Sequence, residues 1–225
     1  MANKNKYLLL ALLIVSAVYA SFLSNDWACD DRGCIAGNNA LRESGNVSRL
    51  FSKEYFVVSR ESSYRPVSTF LYMAIYRVFG QSPFYFHLSS LLLHLLAVAG
   101  VYFLSLRLLG GPGAAFMASL VFGLHPANTE AVFCASFNKD LIVTAGAVWL
   151  MILRAGRSYR DRWEPSAFAA AALIYFLCLF AKETALIFIL LLLAYDLTFR
   201  RDELNTRNAG YFTVSCFCWR RSMFL

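Results

Sequence analysis

The stretch "AALIYFLCLFAKETALIFILLLLAYDL", residues 171–197, decides how this chain is folded. Two apolar runs meet at Lys182-Glu183, and together they are long enough to read as one helix. A single membrane helix over residues 167–199 would place a lysine and a glutamate near the bilayer centre, at a cost on the order of several kcal/mol. It would also send Arg200 and Arg201 to the side where basic loops are scarce. Two spans joined by a turn at Lys182-Glu183 avoid both consequences.

The composition agrees with a membrane reading. Of 225 residues, 59% are hydrophobic and 16% aromatic, against roughly 45–50% apolar in a soluble domain. The net charge of +7 sits in a few short segments, so its meaning is topological and does not point to nucleic acid. There is no zinc-like CxxC pair and no glycine-rich phosphate loop, and the six cysteines are too scattered for a disulfide scaffold. Cys29 and Cys34 are a candidate disulfide outside the cytoplasm, with two free thiols as the alternative.

Working outward, residues 7–23 follow Lys4 and Lys6 and read as a first membrane helix or an uncleaved signal anchor. Further apolar runs cover residues 84–106, 114–124, 141–153, 167–181 and 185–199. Arg107 follows the second run. Arg154, Arg157, Arg160 and Arg162 follow the fourth, and Arg200, Arg201 and Arg207 the sixth. Short basic loops stay in the cytoplasm, and all of these do so if each run crosses once. Residues 66–80 are too short to span, contain Arg77, and carry Val67, Phe70, Leu71, Ala74, Ile75 and Val78 at helical spacing. They read as an amphipathic helix in the outer interface.

The expected fold is therefore all-α: a polytopic transmembrane helix bundle of about six spans plus an outer interfacial helix. Residues 1–24 are the first helix, 25–65 an extracytoplasmic loop and 66–80 the interfacial helix. Residues 84–199 supply five further spans, and 200–225 a cytoplasmic tail or a truncated seventh span.

This topology collects the polar residues on one side. The outer segments hold Asp26, Asp30, Asp31, Glu54, Arg65, His87, His125, Glu130, Lys139, Asp140, Lys182 and Glu183. The span centres hold almost no ionisable group, whereas an ion-coupled transporter keeps its carboxylates near the midplane. An enzyme acting on a lipid-linked substrate wants acids and cations at the surface instead, a base for an acceptor hydroxyl and cations for a leaving phosphate. The adjacent acids of "NDWACDDRGC" (residues 25–34) supply the first, and Arg65, Lys139 and Lys182 the second. His87 and His94 share a helix face and suit interhelical hydrogen bonds better than a metal.

The motifs occur in a familiar order: "DDRGCIAGNNALRE", "YRPVSTFLYMAIYRVFG", "FHLSSLLLH", "LHPANTEAVFCASFNKDL" and "AKETALIFILLLLAYDL". Over roughly residues 5–200 the chain resembles the N-terminal membrane half of the GT-C glycosyltransferases with tetratricopeptide repeats, the transmembrane and TPR-containing O-mannosyltransferases above all. The resemblance implies transfer of a sugar, mannose in that family, from a polyprenyl- or dolichyl-phosphate donor to a protein or glycan acceptor on the extracytoplasmic side. It implies Asp30 and Asp31 as the catalytic acids. Arg65, His125, Glu130, Lys139, Asp140, Lys182 and Glu183 would line the donor phosphate cavity. No metal ligand set is assigned, although adjacent carboxylates are compatible with a divalent cation.

The implied partners are membrane lipids, the lipid-linked donor and the acceptor, with no nucleic acid. The implied setting is a bacterial inner membrane, or the endoplasmic reticulum membrane of a eukaryote. The family continues into more spans and helical repeats, and "YFTVSCFCWRRSMFL" (residues 211–225) reads as a seventh span cut short, so the expectation is an incomplete N-terminal fragment. The alternative reading is a non-catalytic polytopic membrane protein or a small transporter-like bundle.

Overall fold

A computed structural model describes residues 2–59, 61–156 and 164–199. Arg157, Arg160, Arg162 and the segment 200–225, which carry part of the expected charge pattern, lie outside the described residues. Among the described residues all regular structure is helical. The α-helices are α1 (Ala2–Tyr19), α2 (Tyr55–Ser59), α3 (Pro66–Phe79), α4 (Pro83–Leu109), α5 (Pro112–Gly123), α6 (Thr129–Phe133), α7 (Asn138–Ala155), α8 (Pro165–Ala181) and α9 (Phe188–Phe199). Short turns of tighter or wider helix connect them.

Local chemistry sets these boundaries. Helices α3, α4, α5 and α8 begin with proline at the first position, where its missing N–H costs nothing. Helix α4 ends at Gly110, whose φ of 72° is the left-handed cap that glycine adopts without strain. At Lys182 the backbone leaves the helix for an extended conformation, with φ −160° and ψ 139°. Helical structure then resumes in a single tight turn, Glu183–Ile187.

Among the described residues, three segments are long and apolar enough to cross a membrane: Lys4–Ser24, Pro83–Leu109 and Ala135–Ala155. Pro112–Gly123 and Pro165–Ala181 are shorter apolar helices. Their outward faces, and that of α9, are leucine, phenylalanine and valine, as at Leu13, Leu92, Val121, Leu173 and Leu190, which is what a lipid solvent selects. The chain is an integral membrane protein.

Side-chain contacts give the bundle two chemically distinct ends. At one end Tyr102 donates to the Lys4 carbonyl at 2.8 Å and Arg107 donates to the Ile152 carbonyl. Arg154 pairs there with Asp196 at 2.8 Å, both side chains almost fully buried. At the other end Lys182 meets Asp140 at 2.5 Å. Asp140 and Arg154 stand about 21 Å apart along α7 at 1.5 Å per residue. The chain touches the first through Lys182 and the second through Asp196, so α9 runs alongside α7 in the same direction and α8 returns between them. Tyr175 on α8 meets Phe188 on α9 with ring centroids 6.3 Å apart, which fits the reversal.

Close approach tightens this packing. A Cβ at Gly146 of α7 would lie 2.1 Å from the Cys178 sulfur of α8, so only glycine lets these backbones meet. His94 of α4 reaches the Gly123 carbonyl of α5 at 2.9 Å and stands edge-on to Tyr19 of α1. It therefore makes the interhelical hydrogen bond expected of it. His87 is buried with neither ring nitrogen in a hydrogen bond.

Helix α3 turns two different faces to its surroundings. Phe70 and Val78 of the apolar face are exposed, whereas Ser68, Thr69, Tyr72, Met73, Ile75 and Tyr76 are buried. The two buried tyrosines reach different segments, and Tyr72 donates to the carbonyls of Ala135 and Ser136. Tyr76 donates to the Ile35 carbonyl and packs on Phe86, which Trp27 also contacts. Residues 25–59 are thereby held over the polar end of the bundle.

Candidate functional site

The turn Ala28–Asp31 opens the site. The Asp31 N–H donates to the Ala28 carbonyl at 2.9 Å, and Cys29 between them takes a positive φ of 46°. One turn of wide helix, Arg32–Ala36, follows. Asp31 is completely buried, and its two carboxylate oxygens accept the backbone N–H groups of Ala135 at 3.1 Å and Ser136 at 2.7 Å. Those N–H groups begin a short helical turn, Ala135–Phe137, where no intrahelical acceptor exists for them. Asp31 thus caps a helix start 104 residues away and pins the loop to the foot of α7. The neighbouring Asp30 is exposed.

Beside this latch lies a network of six charged side chains. Arg65, at the N-terminus of α3, grips Glu183 through both nitrogens of its fork, Nε at 3.0 Å and Nη2 at 2.6 Å. Glu61 lies 3.5 Å from Arg65 and 3.4 Å from Lys139. Lys182 meets Asp140 at 2.5 Å. The three cations face three carboxylates, so the network is neutral as it stands. Ser68 of α3 donates to the Ala181 carbonyl at 3.2 Å, which fixes α3 against the end of α8 and brings Arg65 to Glu183.

The groups differ in exposure. The side chains of Glu61, Lys139 and Arg65 are 8%, 13% and 14% exposed, whereas that of Glu183 is 56% exposed. The Arg65 hydrogen bonds hold the Glu183 carboxyl down at about 2, against an ordinary 4.5. The Arg65 guanidinium is raised in turn, chiefly by its bond to Glu183. The Cys34 thiol, half-buried, is raised first by desolvation and then by Glu61, and also feels Lys139, Asp30 and Asp31. Cys34 therefore marks where the acidic loop adjoins the network. Tyr72 forms the floor, its hydroxyl donating toward the carbonyls of Ala135 and Ser136, and its own ionisation is pushed well up by burial.

Of the residues nominated from the sequence, the structure brings Arg65, Lys139, Asp140, Lys182 and Glu183 together, with Asp30 and Asp31 at the border. His125 and Glu130 take no part in this network. His125 is exposed, and its own Nδ1 accepts the Ala127 N–H at 3.1 Å to start the turn Pro126–Asn128. It lines a shallow groove of about 560 Å³ with Met117, Ala118, Val121, Phe122 and Asn128. Glu130 is exposed in the first turn of α6.

Glu61 was missed from the sequence, because it lies in the irregular segment before α3, where no helical spacing announces its pairing with Arg65. Cys29 lies near Cys134 and not in a disulfide with Cys34; all three are free thiols. Among the described residues no three His, Cys, Asp or Glu side chains converge as a metal site.

Fold and site together define an integral membrane protein with a charged cluster at one end of a helix bundle and a basic rim at the other. No family model matches the sequence, and no solved structure matches it. The chain is similar in sequence to protein O-mannosyl-transferases. The chain is 29% identical to protein O-mannosyl-transferase F38B6.6 of Caenorhabditis elegans over 158 residues, covering 67% of this chain and 23% of that protein. It is 33% identical to human protein O-mannosyl-transferase TMTC2 over 122 residues, 52% of this chain and 14% of the relative. With human TMTC3 the identity is 32% over 139 residues, 59% and 15% of the two chains. The chain thus spans less than a quarter of the length of these curated relatives.

Proposed function

We propose that this chain forms part of a membrane glycosyltransferase that moves mannose from a polyprenyl- or dolichyl-phosphate carrier to a protein or glycan acceptor outside the cytoplasm. The observation that carries the reading is the gathering of Arg65, Lys139 and Lys182 beside the acidic loop, at the bundle end opposite the Lys4–Arg107–Arg154 rim. By the charge rule for short loops, that rim faces the cytoplasm and the network faces out. The protein O-mannosyl-transferase relatives support mannose as the sugar and protein as the acceptor.

In this reading the network binds the donor phosphate. An arriving phosphate competes with Glu183, the most exposed carboxylate, for the planar fork of Arg65. Lys139 and Lys182 add positive charge where the phosphate leaves. Asp30 is the candidate general base, since it is exposed and its carboxylate is free to reach an acceptor hydroxyl within about 3 Å. The acceptor oxygen bonds to the sugar's anomeric carbon as the carbon–phosphate oxygen bond breaks. The proton goes to Asp30 and the negative charge stays on the phosphate. Asp31 acts as a positioning residue, because both of its oxygens are already held by backbone N–H groups.

A purely structural network is the rival reading, and the pairing of each cation with a carboxylate favours it. Binding of polyprenyl-phosphate mannose to the chain in lipid nanodiscs separates the two. The donor reading expects Lys139→Gln and Lys182→Gln each to weaken binding about tenfold, roughly the worth of one charged hydrogen bond, with no loss of folded protein. Unchanged binding in both variants would make the network structural.

A further inference from the structure

The mechanism leaves one pair of nucleophilic side chains unused. Cys29 is exposed at the turn that carries Asp30 and Asp31, and it lies close to the fully buried Cys134, both of them free thiols. The backbones around the two sulfurs are already clamped together. Asp31, two residues after Cys29, accepts the N–H groups of Ala135 and Ser136, the two residues after Cys134. The same carboxylate also accepts the Ala28 N–H at 3.4 Å, which closes the turn over Cys29. Cys29 holds a positive φ that a non-glycine residue adopts only when its surroundings fix it.

We infer that Cys29 and Cys134 form a disulfide in the mature membrane protein, one that locks the acidic loop onto the segment leading into α7. The inference rests on the proposed outward placement of this end, since an oxidising compartment is needed to form and keep the bond. The two thiols differ as the two partners of an exchange reaction should. Cys29 is reachable from solvent, whereas burial raises the Cys134 thiol and leaves it unreactive until a mixed disulfide stands beside it.

The oxidant is a disulfide, either a small one such as oxidised glutathione or that of a thiol oxidoreductase. The Cys29 thiolate attacks one of its sulfurs, forming a mixed disulfide and releasing one thiol that takes up the Cys29 proton. The Cys134 sulfur then attacks the Cys29 sulfur, gives up its proton, and releases the second thiol. Two cysteines lose two electrons and two protons, and one external disulfide gains them.

The pairing is tested on the full chain in membranes whose free thiols are alkylated at lysis. Non-reduced proteolysis and mass spectrometry should yield a peptide linking residues 29 and 134. Cys29→Ser and Cys134→Ser should each expose one additional alkylatable thiol, and Cys34→Ser none. Alkylation of both Cys29 and Cys134 without prior reduction, or a peptide linking Cys29 to Cys34, would overturn the inference. Two controls distinguish its failure from failure of the outward placement. Reduced protein solubilised in detergent and treated with oxidised glutathione should form the 29–134 link whichever way it faced in the membrane, so its absence there refutes the pairing itself. A membrane-impermeant maleimide should label Cys29 of Cys134→Ser on intact membranes, and lack of labelling refutes the placement together with the native disulfide.

Discussion

The Asp31 carboxylate accepts the backbone N–H of Ser136 at 2.7 Å across 105 residues of sequence. One buried acid therefore holds the first loop on the start of α7, where Lys139 and Asp140 belong to the charged network. Asp31→Ala leaves the N–H groups of Ala135 and Ser136 buried without acceptors. At about 1–3 kcal/mol for each, the variant should lose roughly 2–6 kcal/mol and unfold earlier on heating in detergent. Asp30→Ala, on an exposed side chain, should leave the melting temperature within about a degree of wild type. Equal destabilisation by both would remove the distinction between the two acids.

The opposite end of the bundle makes a second prediction. Arg154 and Asp196 are buried together, at 4% and 0% side-chain exposure. Removing one partner breaks a buried ion pair, which costs about 3–5 kcal/mol. Asp196→Asn and Arg154→Met should each lower folded yield sharply. The double replacement Arg154→Met with Asp196→Leu should recover most of it, because the desolvation of both charges disappears. Measurement of monodisperse protein after detergent extraction decides between recovery and additive loss.

Packing of α7 on α8 depends on the missing side chain at Gly146. A Cβ there would meet the Cys178 sulfur at 2.1 Å, so Gly146→Ala forces the helices apart and should cost about 1–3 kcal/mol. Gly146→Ala combined with Cys178→Gly should restore part of the loss. Thermal unfolding of the two variants side by side reads this directly.

The Arg65–Glu183 pair has a defined pH window. The Glu183 carboxyl is held down at about 2 from an ordinary 4.5, so its pairing with Arg65 is fully present above about 4.5 and is lost as pH falls toward 2. The difference in melting temperature between wild type and Glu183→Gln should therefore be constant from neutral pH to about 5 and vanish near pH 2. Because Glu183 is half-exposed, added salt should shrink that difference. A difference that grows on acidification would contradict the assignment.

The architecture was legible because it follows from hydrophobicity and charge, which are written residue by residue. Each of the six apolar runs is helical, and the chain does break at Lys182. The charged network was legible in part, since lysine, arginine and acids at the ends of apolar runs must gather where water is. What the sequence could not separate was Asp30 from Asp31. Adjacent residues carry the same chemistry, and the partners that bury Asp31 are backbone N–H groups, which have no sequence signature. For the same reason Cys29 was weighed against the nearby Cys34, when its contact is Cys134. On α3, Phe70 and Val78 of the expected apolar face are exposed but Ile75 is buried, and the hydrogen bonds of Tyr72 to Ala135 and Ser136 and of Tyr76 to Ile35 depended on a fold that brings distant segments together. Asp196 went unnoticed because a single acid near the end of an apolar run reads as a boundary until its arginine is found.

The central claim is that the charged network at the loop-covered end receives the donor phosphate, with Glu183 occupying Arg65 until it arrives. Titration of polyprenyl-phosphate mannose against the chain in nanodiscs tests this most directly when two neutralising variants are compared. Glu183→Gln releases Arg65 and should tighten binding several-fold, whereas Arg65→Gln should weaken it about tenfold. Shifts of opposite sign support a phosphate site. Weakening by both variants, or no change in either, would contradict it and leave the pair as a structural clasp between α3 and α8.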